Sequence, residues 1–193
     1  IIIVNSRNYD LLYEKKLKKS EEFIVHIDAS LNYYSEVELR GELSEEVIKN
    51  HYFYLEKFLE KLSNEFRKEV IVCIHPSYDT DVHQKHLPKF KVVKFKTSEY
   101  LYRSFLVTNF DSSSVADAVI LKKRIIGLIS NFMTKNEISH AISQASRNGY
   151  ICLNTKEDFD FDKNEILKKL NIKVNDYDLS KNHCHEPNTS GTD

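Results

Sequence analysis

The stretch Thr108-Asn109-Phe110-Asp111-Ser112-Ser113-Ser114 gathers hydroxyl, amide and carboxylate groups between a strand pattern and a helix pattern. A helix start presents free backbone N–H groups and about half a positive charge. Serine hydroxyls placed there add donors that turn toward a phosphate. Each charge-assisted hydrogen bond contributes roughly 1.5–3 kcal/mol, so three or four hold a monophosphate or diphosphate firmly. The competing reading is structural: Asp111 or Ser112 caps the helix and the other serines are solvated. His75-Pro76 closes an apolar run. Proline there stops the ladder and directs the exit of the chain. The histidine is either a donor to a phosphate or a base, or an ordinary loop residue.

Other chemistry-bearing residues lead less far. His83 and His86 are spaced i, i+3, as metal ligands on one helical face would be, but no third ligand is apparent. Solvated histidines are the expectation. His183-Cys184-His185 has the same shortcoming. Cys73 and His75 share a face of a strand, yet a thiol inside an apolar run is buried and unactivated, so a thiol mechanism is rejected. The chain has four glycines, at Gly41, Gly127, Gly149 and Gly191, too few and too scattered for a dinucleotide fingerprint or a Walker loop. The three cysteines match no metal or disulfide spacing, and buried thiols in a reducing compartment are expected.

The elements that must position these residues alternate. Strand-like runs are read at residues 1–4, 23–27, 70–74, 91–95, 105–108, 124–129 and 150–153. Several are continuously apolar, as expected of strands covered by helices on both faces. The clearest helix lies at residues 44–66, with Ser44 as N-cap. Ile48, Tyr52, Leu55, Leu59, Leu62 and Phe66 then follow at steps of four and three, one stripe on one face. Further helices are expected at 98–104, 113–121, 135–148 and 164–170, with Gly149 as a stop signal. This alternation predicts a Rossmann-like three-layer α/β/α fold with a mainly parallel sheet. Residues 1–20 form a leading segment, 21–174 the nucleotide-binding domain and 175–193 a polar tail. In such a sheet, ligands bind beyond the carboxyl ends of the strands. His26–Asp28, His75–Ser77, Asn109–Ser114 and Ser130-Asn131 are the polar strand ends that converge there.

Charge excludes one class of partner. Lys and Arg number 28 against 29 Asp and Glu, for a net charge of −1, and the signs are intermixed. No basic face is available for nucleic acid. No apolar run reaches the ~20 residues of a membrane helix. The opening Ile1-Ile2-Ile3-Val4 is too short for a signal core. The expected location is cytoplasmic, or peripheral at the inner face of the membrane through a partner.

The ordered set His75-Pro76, Ser98-Glu99-Tyr100-Leu101, Phe105 to Ser114 and Lys123-Arg124-Ile125-Ile126 resembles the donor-binding half of GT-B glycosyltransferases of bacterial surface polysaccharide synthesis. Those enzymes include the sialyl-, polysialyl- and Kdo-transferases with a His-Pro motif and a serine motif. The CDP-glycerol glycerophosphotransferases are similar in layout. The resemblance spans about residues 22–158, and the opening Asn5-Ser6-Arg7-Asn8-Tyr9-Asp10 resembles the segment leading into that half. It implies one half of a GT-B fold that binds a nucleotide-activated sugar as substrate and needs no other cofactor or metal. His75 would contact the donor phosphate, with Pro76 shaping the turn. Ser112, Ser113 and Ser114 would bind the same phosphate, and Asp28 and Asn131 would line the cleft. The donor stays open among CMP-, CDP- and UDP-linked forms, the His-Pro pair tilting the expectation toward cytidine. The acceptor-binding half has no room in 193 residues, so a glycan acceptor would be held by a missing or partner domain, and the catalytic base is unassigned. Two other readings are a non-catalytic α/β interaction domain and a glycerol-phosphate transferase of the CDP-glycerol type.

Overall fold

A computed structural model describes residues 21–28, 44–110, 112–131 and 133–175. The strand expected at 1–4, the leading segment, Asp111, the histidines and cysteine at 183–185 and most of the polar tail lie outside the described residues. Six strands form one sheet in the order β3-β2-β1-β4-β5-β6. They are β1 (Phe23–Asp28), β2 (Val70–Ile74), β3 (Lys91–Lys94), β4 (Ser104–Asn109), β5 (Arg124–Ile129) and β6 (Ile151–Asn154). Every pairing is parallel. The fold is therefore Rossmann-like, with helices on both faces of a parallel sheet.

Alternation along the strands shows why. Ile24, Val70, Val72, Ile74, Leu106, Ile126 and Leu128 pack into one apolar cluster. Their sequence neighbours Val25, Ile27, Ile71, Cys73, Val107 and Ile125 pack into another. Successive side chains of a strand point to opposite faces, so strands apolar at every position must be covered twice. On the first face lie α1 (Glu45–Phe66), contributing Tyr52, Leu55, Phe58, Leu59 and Leu62, and α6 (Lys163–Asn175), contributing Ile166 and Leu170. On the second lie α3 (Thr97–Tyr102), α4 (Val115–Ile120) and α5 (Lys135–Asn148), through Tyr100 and Leu101, Val115, Ala118 and Val119, and Ala145.

Helix ends follow local chemistry. Ser44 caps α1, its side chain accepting from the Val47 N–H. Gly149 ends α5 in the left-handed region at φ 78°, a conformation that costs glycine nothing. Several boundaries differ from the sequence pattern by a few residues, and one helix is added. Strand β3 stops at Lys94 because Phe95 turns out of the ladder at φ 61° with its ring exposed. The last helix runs to Asn175 rather than to residue 170. A short helix, α2 (Thr80–His86), stands where none was expected, capped by Asp79, whose carboxylate accepts from the Asp81 and Val82 N–H groups.

Candidate functional site

Strands β1, β2 and β3 advance to one edge of the sheet, and β4 returns to the other side of β1. At such a reversal the connections leave in opposite directions and open a crevice beyond the carboxyl ends. A cleft of about 240 Å³ lies at this end of the sheet. It is lined by Asp28 from the end of β1, His75, Pro76 and Tyr78 from the turn after β2, Thr97 from α3, and Ser112, Ser113 and Ser114 from the turn after β4. Six of the seven residues expected to bind the donor thus meet in one cleft. Asn131 does not join them: it is exposed beyond β5, where its Oδ1 accepts from Asn154 Nδ2 at 2.6 Å.

His75 is exposed, and its orientation is defined by its own turn. The Ser77 N–H donates to His75 Nδ1 at 3.2 Å, and Ser77 Oγ lies 2.6 Å from the same nitrogen. A nitrogen that accepts a backbone N–H carries no proton, so the neutral ring has its proton on Nε2. The turn therefore presents Nε2–H as a donor on a residue of the cleft wall.

The serine turn works differently from the sequence expectation. Ser114, not Asp111 or Ser112, is the N-cap residue of α4, and its side chain makes no cap bond. The N–H groups of Val115, Ala116 and Asp117 donate to the carbonyls of Ser112, Ser113 and Ser114 at 3.0–3.2 Å. Those of Ser112 and Ser114 are taken at 3.4 and 3.3 Å by Asn109 Oδ1 and Ser112 Oγ. These five backbone donors are occupied locally, which turns attention to the serine hydroxyls as groups that can meet an anion. The helix has only six residues, and its dipole adds little.

Behind this wall is a buried polar cluster that the sequence pattern did not reveal. His26, Asp28, His51, His83, Thr108 and Ser130 are each 2% exposed or less. His26 Nδ1 lies 2.9 Å from Thr108 Oγ1, and His51 Nδ1 lies 3.5 Å from Ser130 Oγ. Burial, partly countered by Asp28, lowers both His26 and His51 to about 4, so each ring is neutral at pH 7. Asp28 sends its carboxylate inward. Oδ2 is 3.3 Å from His83 Nε2, and Oδ1 is 4.0 Å from His26 Nε2. His83, expected to be solvated, is fully buried and stacks on Tyr78 at 5.5 Å between ring centroids. Its partner His86 stacks on Tyr52 at 4.4 Å. Among the described residues, no group of three or more His, Cys, Asp or Glu side chains is arranged to hold a metal ion. Cys73 reaches the cleft floor, but burial, partly offset by Thr97, pushes its thiol up to about 12, leaving it unactivated.

No family model matches the chain, and no curated protein matches it. Among solved structures it is similar to a UDP-GlcNAc 2-epimerase of Methanocaldococcus jannaschii at 15% identity and a TM-score of 0.45, over 88% of this chain and 42% of that one. It is similar to the wall teichoic acid polymerase TagF at 14% identity and a TM-score of 0.41, over 91% of this chain and 41% of that one. A third is the β-Kdo 2,4 transferase KpsC of Thermosulfurimonas dismutans, at 16% identity and a TM-score of 0.37, over 63% of this chain and 42% of that one. The chain spans about two fifths of each of these proteins. The reading of the site therefore rests on the chain's own geometry: a parallel sheet whose switch-point cleft joins a histidine donor to three serine hydroxyls.

Proposed function

We propose that the cleft binds the phosphate of a nucleotide-activated sugar, and that the chain is the donor-binding part of a glycosyltransferase of bacterial surface polysaccharide synthesis. The observation that carries this reading is the convergence of His75 and Pro76 after β2 with Ser112, Ser113 and Ser114 after β4 on one cleft at the carboxyl edge of the sheet. Nε2–H of His75 and the serine hydroxyls are donors without fixed charge, suited to a phosphate that must be held and then released. In transfer, the same donors stabilise the negative charge that gathers on the departing nucleotide. A cytidine nucleotide is the preferred donor by resemblance to the His-Pro enzymes. The acceptor and the base that deprotonates it belong to a second half, in a continuation of the chain or a partner.

Thermal-shift and calorimetric titration with CMP, CDP, UDP and GDP tests the proposal. A ligand at ~100 times its dissociation constant adds about 2.7 kcal/mol of stability. One nucleotide is expected to stabilise selectively. His75→Ala and a combined Ser112→Ala, Ser113→Ala variant should each weaken its binding roughly tenfold or more, the worth of one charge-assisted hydrogen bond. Parent-like binding by both variants would place the phosphate elsewhere.

A further inference from the structure

An anion site has an apparent contradiction beside it, because Asp28 belongs to the lining of the cleft that would receive a phosphate and its carboxylate is buried behind that wall. A bare carboxylate there would repel the ligand. The neighbouring rings are unequal to the task of neutralising it. His26 and His51 are held neutral by burial. His86 is also lowered, first by burial and then by the charge of His83. His83 differs in geometry. Its Nδ1 is 2.9 Å from the Asp79 carbonyl, which can only accept, so Nδ1 carries a proton. Its Nε2 faces Asp28 Oδ2 at 3.3 Å, and a second proton there makes the ring a cation paired with the carboxylate.

We propose that His83 is the counter-ion that neutralises Asp28 beneath the cleft, and that this neutral floor is what lets the cleft accept a phosphate-bearing ligand. The inference rests on the reading of the cleft as a phosphate site. His83 is a positioning residue, since the ring lies behind the cleft wall and acts through the charge of Asp28. Burial alone would lower its pKa, but the contacts with Asp28 and the Asp79 carbonyl outweigh it and hold the ring above its ordinary value. The groups facing the pair are Asp28 and His26 from β1, His51 from α1, and Tyr78, Asp79 and His86 from the segment that carries His83. Of these only Asp28 and Asp79 bring negative charge, and both favour the cation. As pH rises through the raised pKa, the pair changes from neutral to −1, and affinity for an anion falls.

The test is a cycle of His83→Gln, Asp28→Asn and the double variant, titrated with CDP and with inorganic pyrophosphate at pH 6 and pH 8. Circular dichroism and an amide NMR spectrum report the fold. At an effective dielectric near 20, one uncompensated charge about 12 Å from the charge of the ligand weakens binding on the order of tenfold. His83→Gln is therefore expected to bind about tenfold more weakly at pH 8, and the double variant to return within about twofold of the parent. Asp28→Asn should lose the parent's fall in affinity between pH 6 and pH 8, whatever its absolute affinity. A purely structural role would leave the double variant as weak as His83→Gln, and that result, or a His83→Gln variant that binds normally, overturns the proposal. A parent that binds pyrophosphate but no nucleotide removes the nucleotide reading and leaves His83 to be judged by the same cycle. A parent that binds neither overturns both. His83 titration by NMR gives an independent arm: a midpoint above 6.5 that drops in Asp28→Asn is expected, and one at or below 6.5 in the parent refutes the pair.

Discussion

Gly127, in the middle of β5, shows how tightly single positions are set in this sheet. A Cβ added there would stand 2.9 Å from Cys152 Sγ and 3.0 Å from the Tyr150 ring. Tyr150 cannot retreat freely: it is 4% exposed and its hydroxyl is 2.7 Å from Gln144 Oε1, while the half-buried Cys152 has its Sγ 3.6 Å from the Ala141 carbonyl. Gly127→Ala should cost about 1–3 kcal/mol by overpacking, seen as a lower urea midpoint with an unchanged slope. A loss under half a kcal/mol would mean that β6 shifts without resistance. The site residues divide on the same principle of surroundings. His75, Pro76 and the serines were legible because each follows an apolar strand, where polarity changes abruptly. His83 and His51 were not, because their burial is decided by elements distant in the chain. His51 stands beside the apolar stripe of α1, and the distant partner that receives it is Ser130, across the sheet end.

At the scale of elements, the two longest helices read from sequence are those with an apolar stripe or a strong stop. Helix α5 has both ends defined. Thr134 and Glu137 form a reciprocal capping box, the Thr134 side chain accepting from the Glu137 N–H at 3.3 Å and Glu137 Oε2 accepting from the Thr134 N–H at 2.6 Å. Thr134→Ala removes one half of that exchange and should destabilise the protein by about 1 kcal/mol, while Thr134→Ser should be nearly neutral. Equal loss in both would show that the methyl group, not the hydroxyl, carries the effect. Helix α2 is silent in the sequence for the opposite reason. Its seven residues Thr-Asp-Val-His-Gln-Lys-His show no apolar stripe, and its one buried member is a histidine. What holds it is the Asp79 cap and the contact of His83 with Asp28 from another strand, and neither is periodic. An element held by a cap and a polar contact at a site is the kind that local patterning misses.

At the scale of the whole molecule, the continuous apolar strands announced a doubly covered parallel sheet, but they said nothing of the polar groups enclosed where the strands end. That enclosure gives the fold a pH dependence. His26 and His51 have folded pKa values of about 4 against an ordinary value near 6.5, both through burial. A group whose folded pKa is depressed contributes stability that is complete above its unfolded pKa and drains away as pH falls toward the folded one. The window is therefore pH 6.5 down to 4. Between pH 7 and pH 5 each ring should remove about 2 kcal/mol, from 1.36 kcal/mol per unit of pKa difference weighted by protonation. His83 works in the other direction. Its raised folded pKa gives stability that is present below pH 6.5 and is lost as pH rises through the folded value, so it partly offsets the pair. Urea unfolding at pH 7, 6 and 5 is expected to show a net loss of a few kcal/mol, with uptake of between one and two protons on unfolding. His83→Gln should steepen that loss, because it removes an opposing ring. A stability that holds level from pH 7 to pH 5 in both proteins would mean that water reaches His26 and His51, and that the cluster behind the cleft is not sealed.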